Sequence, residues 1–150
     1  MCRITTNVTR RFRLARSFAR PFGWADAIAP YHKSEVLSRC PLVKAERTNN
    51  PTSRHYTDYF WNANLAGRAL KSVDNPASFV ALGEGNDGHD RTDARYAYRV
   101  VPISWLLADE SPLTRHKGVA NFLFVDGHVE SKTPDELRAR RHGFGLRNPR

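Results

Sequence analysis

His116, Asp126 and His128 are the first candidates for chemistry in this 150-residue chain. Two imidazoles and a carboxylate are a ligand set for a metal ion that activates water, which would make the chain a metal-dependent hydrolase. Asp126 and His128 are neighbours but two ligands do not make a site. His116 lies ten residues from Asp126, and an extended strand of that length spans roughly 30 Å. The three meet only if the chain folds back, with Lys117-Gly118 as the place for it. The plainer reading is a hairpin-turn residue with two surface or half-buried histidines.

A second group is the oxygen-rich loop that starts at Glu84 and holds Asp87, Asp90 and Asp93. Hard oxygen ligands among glycines suit calcium. The spacing does not match an EF-hand loop, and a solvated acidic loop explains it as well. A third group is aromatic: Tyr56, Tyr59, Phe60 and Trp61, with Arg54 and Arg68 nearby. Such a set can stack nucleic-acid bases, although core packing is its commoner use. Cys40, followed by Pro41, reads as a buried or half-buried thiol rather than a nucleophile. No CxxC pair and no G-x-S-x-G elbow is present.

These residues must be held by short elements. Trp24–Tyr31 reads as a short helix limited by Pro30. Residues 32–55 are turn-rich, and Tyr56–Trp61 is a strand or an irregular packed segment. Ala69–Val73 reads as one helical turn, Ser78–Leu82 as a short strand, and Gly83–Asp93 as a loop. Tyr96–Leu107 is strand-like but interrupted at Pro102. Gly118–Val125 is the clearest strand. It runs into Asp126-Gly127 and then His128–Lys132, which predicts an antiparallel hairpin with a two-residue turn. A short helix follows over Asp135–Arg141, opened by Thr133-Pro134.

Charge divides the chain into three. The whole carries 24 Lys and Arg against 15 Asp and Glu, a formal charge of +9. Residues 1–20 hold six arginines (Arg3, Arg10, Arg11, Arg13, Arg16, Arg20) and no acid. Residues 138–150 hold five (Arg138, Arg140, Arg141, Arg147, Arg150) and no acid. The middle, 21–137, has 13 bases against 15 acids. The organisation expected is an Arg-rich tail over 1–21, one domain over 22–137 and a basic tail over 138–150. Arg-rich ends can touch phosphates, so a nucleic-acid-binding module is one reading; solvated termini are the other. The first 22 residues also fit an organelle transit peptide or a misplaced start. No stretch approaches 18 apolar residues, and two cysteines are no disulfide framework.

Residues 115–128, RHKGVANFLFVDGH, resemble the C-terminal signature of bacterial prepilin-type proteins: a His, nine residues, then Asp-Gly, here His116 and Asp126-Gly127 with His128 following. Further landmarks agree in order: the segment beginning at Gly23-Trp24, then Arg39-Cys40-Pro41, then Asn62-Ala63-Asn64-Leu65-Ala66-Gly67, then Asn75-Pro76-Ala77. The resemblance covers about residues 22–132. It implies an α+β fold: a small pseudopilin-like head with an antiparallel sheet, short helices and long loops. It implies a non-enzymatic structural subunit of a type II secretion or type IV pilus-like assembly, with other pseudopilin-like subunits or secretion machinery as partners. It implies no cofactor, although calcium in the heads of related pseudopilins gives the loop at Glu84, Asp87, Asp90 and Asp93 some interest. The family works in the cell envelope, the periplasm or outside the cell.

The chain departs from that pattern at its start. The processing motif and the long apolar helix are not in it, and residues 1–20 are Arg-rich instead. A truncated, decayed or mis-started head is the expectation, with cytoplasmic retention open.

Overall fold

The apolar run before Asp126-Gly127 does form the strand expected of it. In the computed structural model, which describes residues 20–32 and 34–139, β4 (Ala120–Phe124) pairs antiparallel with β5 (Val129–Lys132), Leu123 opposite Val129. Burial alternates along β4, with Ala120, Phe122 and Phe124 inside. That period of two is what a strand between two packed faces shows.

The turn differs from expectation. Phe124 N donates to His128 O at 2.9 Å and Gly127 N donates to Phe124 O at 3.0 Å. Three residues, Val125, Asp126 and Gly127, therefore close the hairpin rather than two. Only Gly127 takes a positive φ, 94°, which glycine adopts without strain.

With β1 (Tyr59–Asn62), β2 (Val80–Glu84) and β3 (Ala97–Tyr98), five strands form one sheet in the order β3-β1-β2-β4-β5. β1 pairs antiparallel with β2, and β2 with β4. β3 runs parallel to β1, so the sheet is mixed rather than purely antiparallel. With α1 (Trp24–Ile28), α2 (Ile103–Leu107) and α3 (Pro134–Ala139), this is a small α+β domain. Among the described residues the longest helix has six residues, and no helix is long and apolar enough to cross a membrane.

The strand-like reading of Tyr96–Leu107 fails in its second half. Only Ala97–Tyr98 pair, and Ile103–Leu107 is helical. Pro102 precedes the helix, where its missing N–H costs nothing. Trp105 and Leu106 then point inward. The strand expected over Ser78–Leu82 starts and ends two residues later, because Pro76–Ser78 forms a helical turn. Glu84, expected in a loop, is thereby the last residue of β2.

Two apolar clusters lie on the two faces of the sheet. The larger holds Phe60, Val80, Trp105, Leu113, Phe122 and Leu137. The smaller holds Leu65, Val73, Phe79 and Ala81, against Trp61, Leu123 and Val125. Val80 and Ala81 serve different clusters because successive strand residues face opposite ways, and the register shift between Val80 and Leu82 then turns Leu82 to the same face as Ala81, opposite Leu123. Gly83 allows close approach: a Cβ there would meet the Phe60 and Phe122 rings at 2.6 and 2.7 Å. α3 is opened by a reciprocal cap, Glu136 N donating to Thr133 Oγ1 at 3.2 Å and Thr133 N to Glu136 Oε2 at 2.8 Å.

Candidate functional site

His116 sits where the chain turns back. Lys117 and Gly118 both have positive φ, 61° and 91°, and His116 N donates to Val119 O at 3.1 Å. The fold-back at Lys117-Gly118 thus exists, but it takes His116 toward β2 and not toward Asp126. His116 Nε2 lies 3.0 Å from Glu84 Oε1 and 3.4 Å from Cys40 Sγ. Asn121 Nδ2 donates to the same Glu84 Oε1 at 2.7 Å. Four residues from three distant parts of the chain meet here, and Cys40 and Glu84 are fully buried.

Thiol and carboxylate share one imidazole nitrogen. A nucleophile relay needs the base to use two different nitrogens, one toward the nucleophile and one toward the orienting carboxylate. This arrangement ties the three groups together but does not activate the thiol. Cys40 has no exposure to solvent, so a substrate would not reach it.

Burial dominates the electrostatics of the cluster. Desolvation raises the Glu84 carboxyl above the usual range, against the pull of Asn121, His116 and Arg115. Tyr59, directly opposite Glu84 in the β1–β2 register, is pushed up to about 12 by burial and by Cys40, Glu84 and Asp58. Glu84 Oε2 is buried and has no hydrogen-bond partner within the protein. Beneath the cluster, Asp58 accepts from Cys40 N at 2.9 Å and from Asn86 Nδ2 at 2.6 Å. The Arg115 guanidinium donates to Gly85 O at 3.0 Å and Asn86 O at 2.7 Å.

Asp126 and His128 lie at the other end of β4. Asp126 Oδ1 accepts from His128 N at 3.1 Å and contacts His128 Nδ1 at 2.6 Å. The His128 ring stacks on Phe124, 4.3 Å between centroids. Those hydrogen bonds hold the Asp126 carboxyl below its usual range. The hydrolase trio His116, Asp126 and His128 is not brought together.

The oxygen-rich loop is spent internally. Asp87 accepts from His89 N at 2.8 Å, Asp90 N at 3.0 Å and Trp105 Nε1 at 3.1 Å. Asp90 accepts from the Tyr96 and Tyr98 hydroxyls, and burial and that carboxylate push both phenols up. Asp93 pairs with Arg91 and Arg95, each at 3.0 Å. Glu84 faces the His116 cluster instead. Among the described residues, no group of three or more His, Cys, Asp and Glu is placed to hold a metal ion.

A stability–pH prediction arises here. Asp87 and Asp93 sit below the usual carboxylate value: burial raises each, but hydrogen bonds and, for Asp93, the Arg95 charge outweigh it. Their contribution is present above the unfolded value of 3.8 and is lost as pH falls through the lower folded one. Glu84 has the opposite sign: its contribution is full below 4.5 and is lost as pH rises through its higher folded value. Urea unfolding from neutral to acid pH is expected to show both limbs. Asp93→Asn is expected to flatten the acid limb, and Glu84→Gln the other.

The aromatic set does not form a stacking surface. Phe60 is inside, 6.2 Å from Trp105 between ring centroids. Trp61 faces the other way, 6.3 Å from Trp24. Arg54 donates to Asp90 O and Gly88 O at 2.9 and 2.6 Å. Of the tails proposed to touch phosphate, residues 1–19 and 140–150 lie outside the described residues.

The other landmarks brace the fold. Trp24 Nε1 donates to Tyr96 O at 2.7 Å, Asn62 Nδ2 to Val80 O at 2.7 Å, and Asn64 Nδ2 to Arg99 O at 2.9 Å. Gly67 takes φ 72°. Sequence reasoning passed over Asp58 altogether and met Asn121 only inside the stretch RHKGVANFLFVDGH. Nothing local marks their place at the site, since Asp58 meets Cys40 and Asn86, and Asn121 meets Glu84, across 18 or more residues. Compared with family models, curated proteins and solved structures, the chain finds no match.

Proposed function

We propose that this chain is a non-enzymatic structural subunit, the head of a pseudopilin-like protein from a type II secretion or type IV pilus-like assembly. The observation that carries the reading is the contact of Cys40 with His116, 76 residues apart in sequence. Both are landmarks of the resemblance, from its Cys-Pro and His-x9-Asp-Gly segments. The remaining landmarks likewise direct their polar groups at their own chain. Residues used as braces make a scaffold, and a scaffold's function lies in the surface it presents.

Two measurements test this. The nucleotide sequence upstream of Met1 is expected to encode a basic leader, a processing motif and an apolar helix in frame; unrelated sequence there would count against the reading. Sedimentation of the purified chain, with and without duplex DNA, should reveal self-association that persists as salt rises. Binding to DNA that collapses with salt, without self-association, would instead favour phosphate contacts by the Arg-rich ends.

A further inference from the structure

Arg39 is buried, only 8% exposed, yet it has no counter-ion. Its Nη1 donates to His55 O at 3.0 Å, and its Nη2 donates to Thr48 O and, at 3.1 Å, to Asn49 Oδ1. All three acceptors are neutral. Among the described residues no carboxylate pairs with the guanidinium. Carbonyl dipoles compensate a buried cation only in part, so an opposite charge brought to Arg39 would recover some of the cost of burying it.

Arg39 also forms part of the wall of a cavity of about 280 Å³, together with Ala29, Ser34 and Tyr56. It is the one permanently charged side chain in that wall. Its Nε–H meets no acceptor among the described residues, and Nε is not sealed from solvent as His55 Nδ1 is. The accessible donor and the cavity wall belong to one side chain. An anion entering the cavity therefore meets a charged N–H that the fold leaves unused.

We propose that this cavity binds an organic carboxylate, with a carboxylate oxygen on Arg39 Nε and the body of the molecule against Ala29 and the Tyr56 ring. The missing counter-charge selects an anion, and guanidinium is matched to carboxylate. A single guanidinium selects a monoanion, because a dianionic phosphate would carry a second charge into the cavity unpaired. The Ala29 methyl and the Tyr56 ring select an organic anion over an inorganic one. A free carboxylic acid and the C-terminus of a peptide share this chemistry. The inference stands apart from the structural reading above and does not depend on it.

The test is calorimetric or NMR titration of the full chain in a carboxylate-free buffer at about pH 8, where a phosphate monoester is a dianion. Acetate and butyrate are expected to bind saturably, butyrate about fourfold or more the tighter. Butyramide and methyl phosphate are expected to bind at least about tenfold more weakly than butyrate. Nα-acetyl-alanine separates the sources: binding at least as tight as butyrate points to a peptide C-terminus, and weaker binding to a free acid. Arg39→Gln is expected to erase the preference for butyrate over butyramide. Should that variant fail to fold, Ser34→Asp sets a negative charge at an exposed position of the wall. It is expected to weaken butyrate about fivefold or more and to leave butyramide as it was. Butyramide, methyl phosphate or acetate binding as tightly as butyrate, an absence of saturation, or unchanged butyrate binding in Ser34→Asp would overturn the proposal.

Discussion

Asp58→Ala is expected to destabilise the protein by about 3–5 kcal/mol, lowering its thermal midpoint by about 10 °C or more. Asp58 is 6% exposed, and its two oxygens take different donors, Cys40 N and Asn86 Nδ2. Removing the carboxylate leaves both donors buried without partners. Each orphan costs about 1–3 kcal/mol, and the lost bonds are charge-assisted. Asp58→Asn should recover only part, since its amide nitrogen would face one of the two donors. A cycle pairing Asp58→Ala with Asn86→Ala separates the terms. Coupling of about 1 kcal/mol or more is expected, and strict additivity would show that the bond contributes little. The effect should reach the site as well, because Cys40 is placed by Asp58 and touches His116.

Trp105→Ala is the second large effect, expected at about 3–5 kcal/mol. Trp105 is 3% exposed and packs edge-on to Tyr98, 5.3 Å between ring centroids. It also packs against Phe60 and donates Nε1 to Asp87. Truncation opens a cavity in the larger core cluster and removes a donor from the oxygen-rich loop. Trp105→Phe separates these contributions. It keeps most of the packing, so its cost should be about 1–2 kcal/mol. Asp87 would also lose one of the bonds that hold its carboxyl low, so acid unfolding of Trp105→Phe should begin at a higher pH than in the parent. Equal losses for Ala and Phe in denaturant unfolding would show that the indole N–H, not the ring, carries the stability.

What the sequence reveals of this fold is its local part. The β4–β5 hairpin was legible because an apolar run, Asp-Gly and a second extended run are all contained in Gly118–Lys132. The number of turn residues was not, because a two-residue and a three-residue loop both place glycine at a positive φ. The apolar stretch Val100–Leu107 was misread because it lacks a clear period; helix or strand there is decided by what Trp105 and Leu106 pack against. Pro102 was taken as a strand breaker when it is a helix starter. Glu84 was the hardest case. A glutamate between two glycines reads as loop, and its burial depends on Asn121 and His116, more than thirty residues further on. The resemblance marked Cys40 and His116 separately, but nothing in the spacing says that they touch.

The strand order imposes a timetable on assembly. The β4–β5 hairpin closes over three residues and can form as soon as Phe124 and Val129 are extended. β2 meets β4 only after the whole segment 85–119 has been looped out, and the entropy of that closure must be met before any contact rewards it. The same segment carries Asp87, Asp90, Arg115 and His116. The brace around Glu84 is therefore complete only once that loop is closed, and until then the edge of β2 that meets β4 is unpaired. The docking of β2 onto β4 is expected to come after the hairpin, and the side chains that seal it are supplied by the loop that delays it.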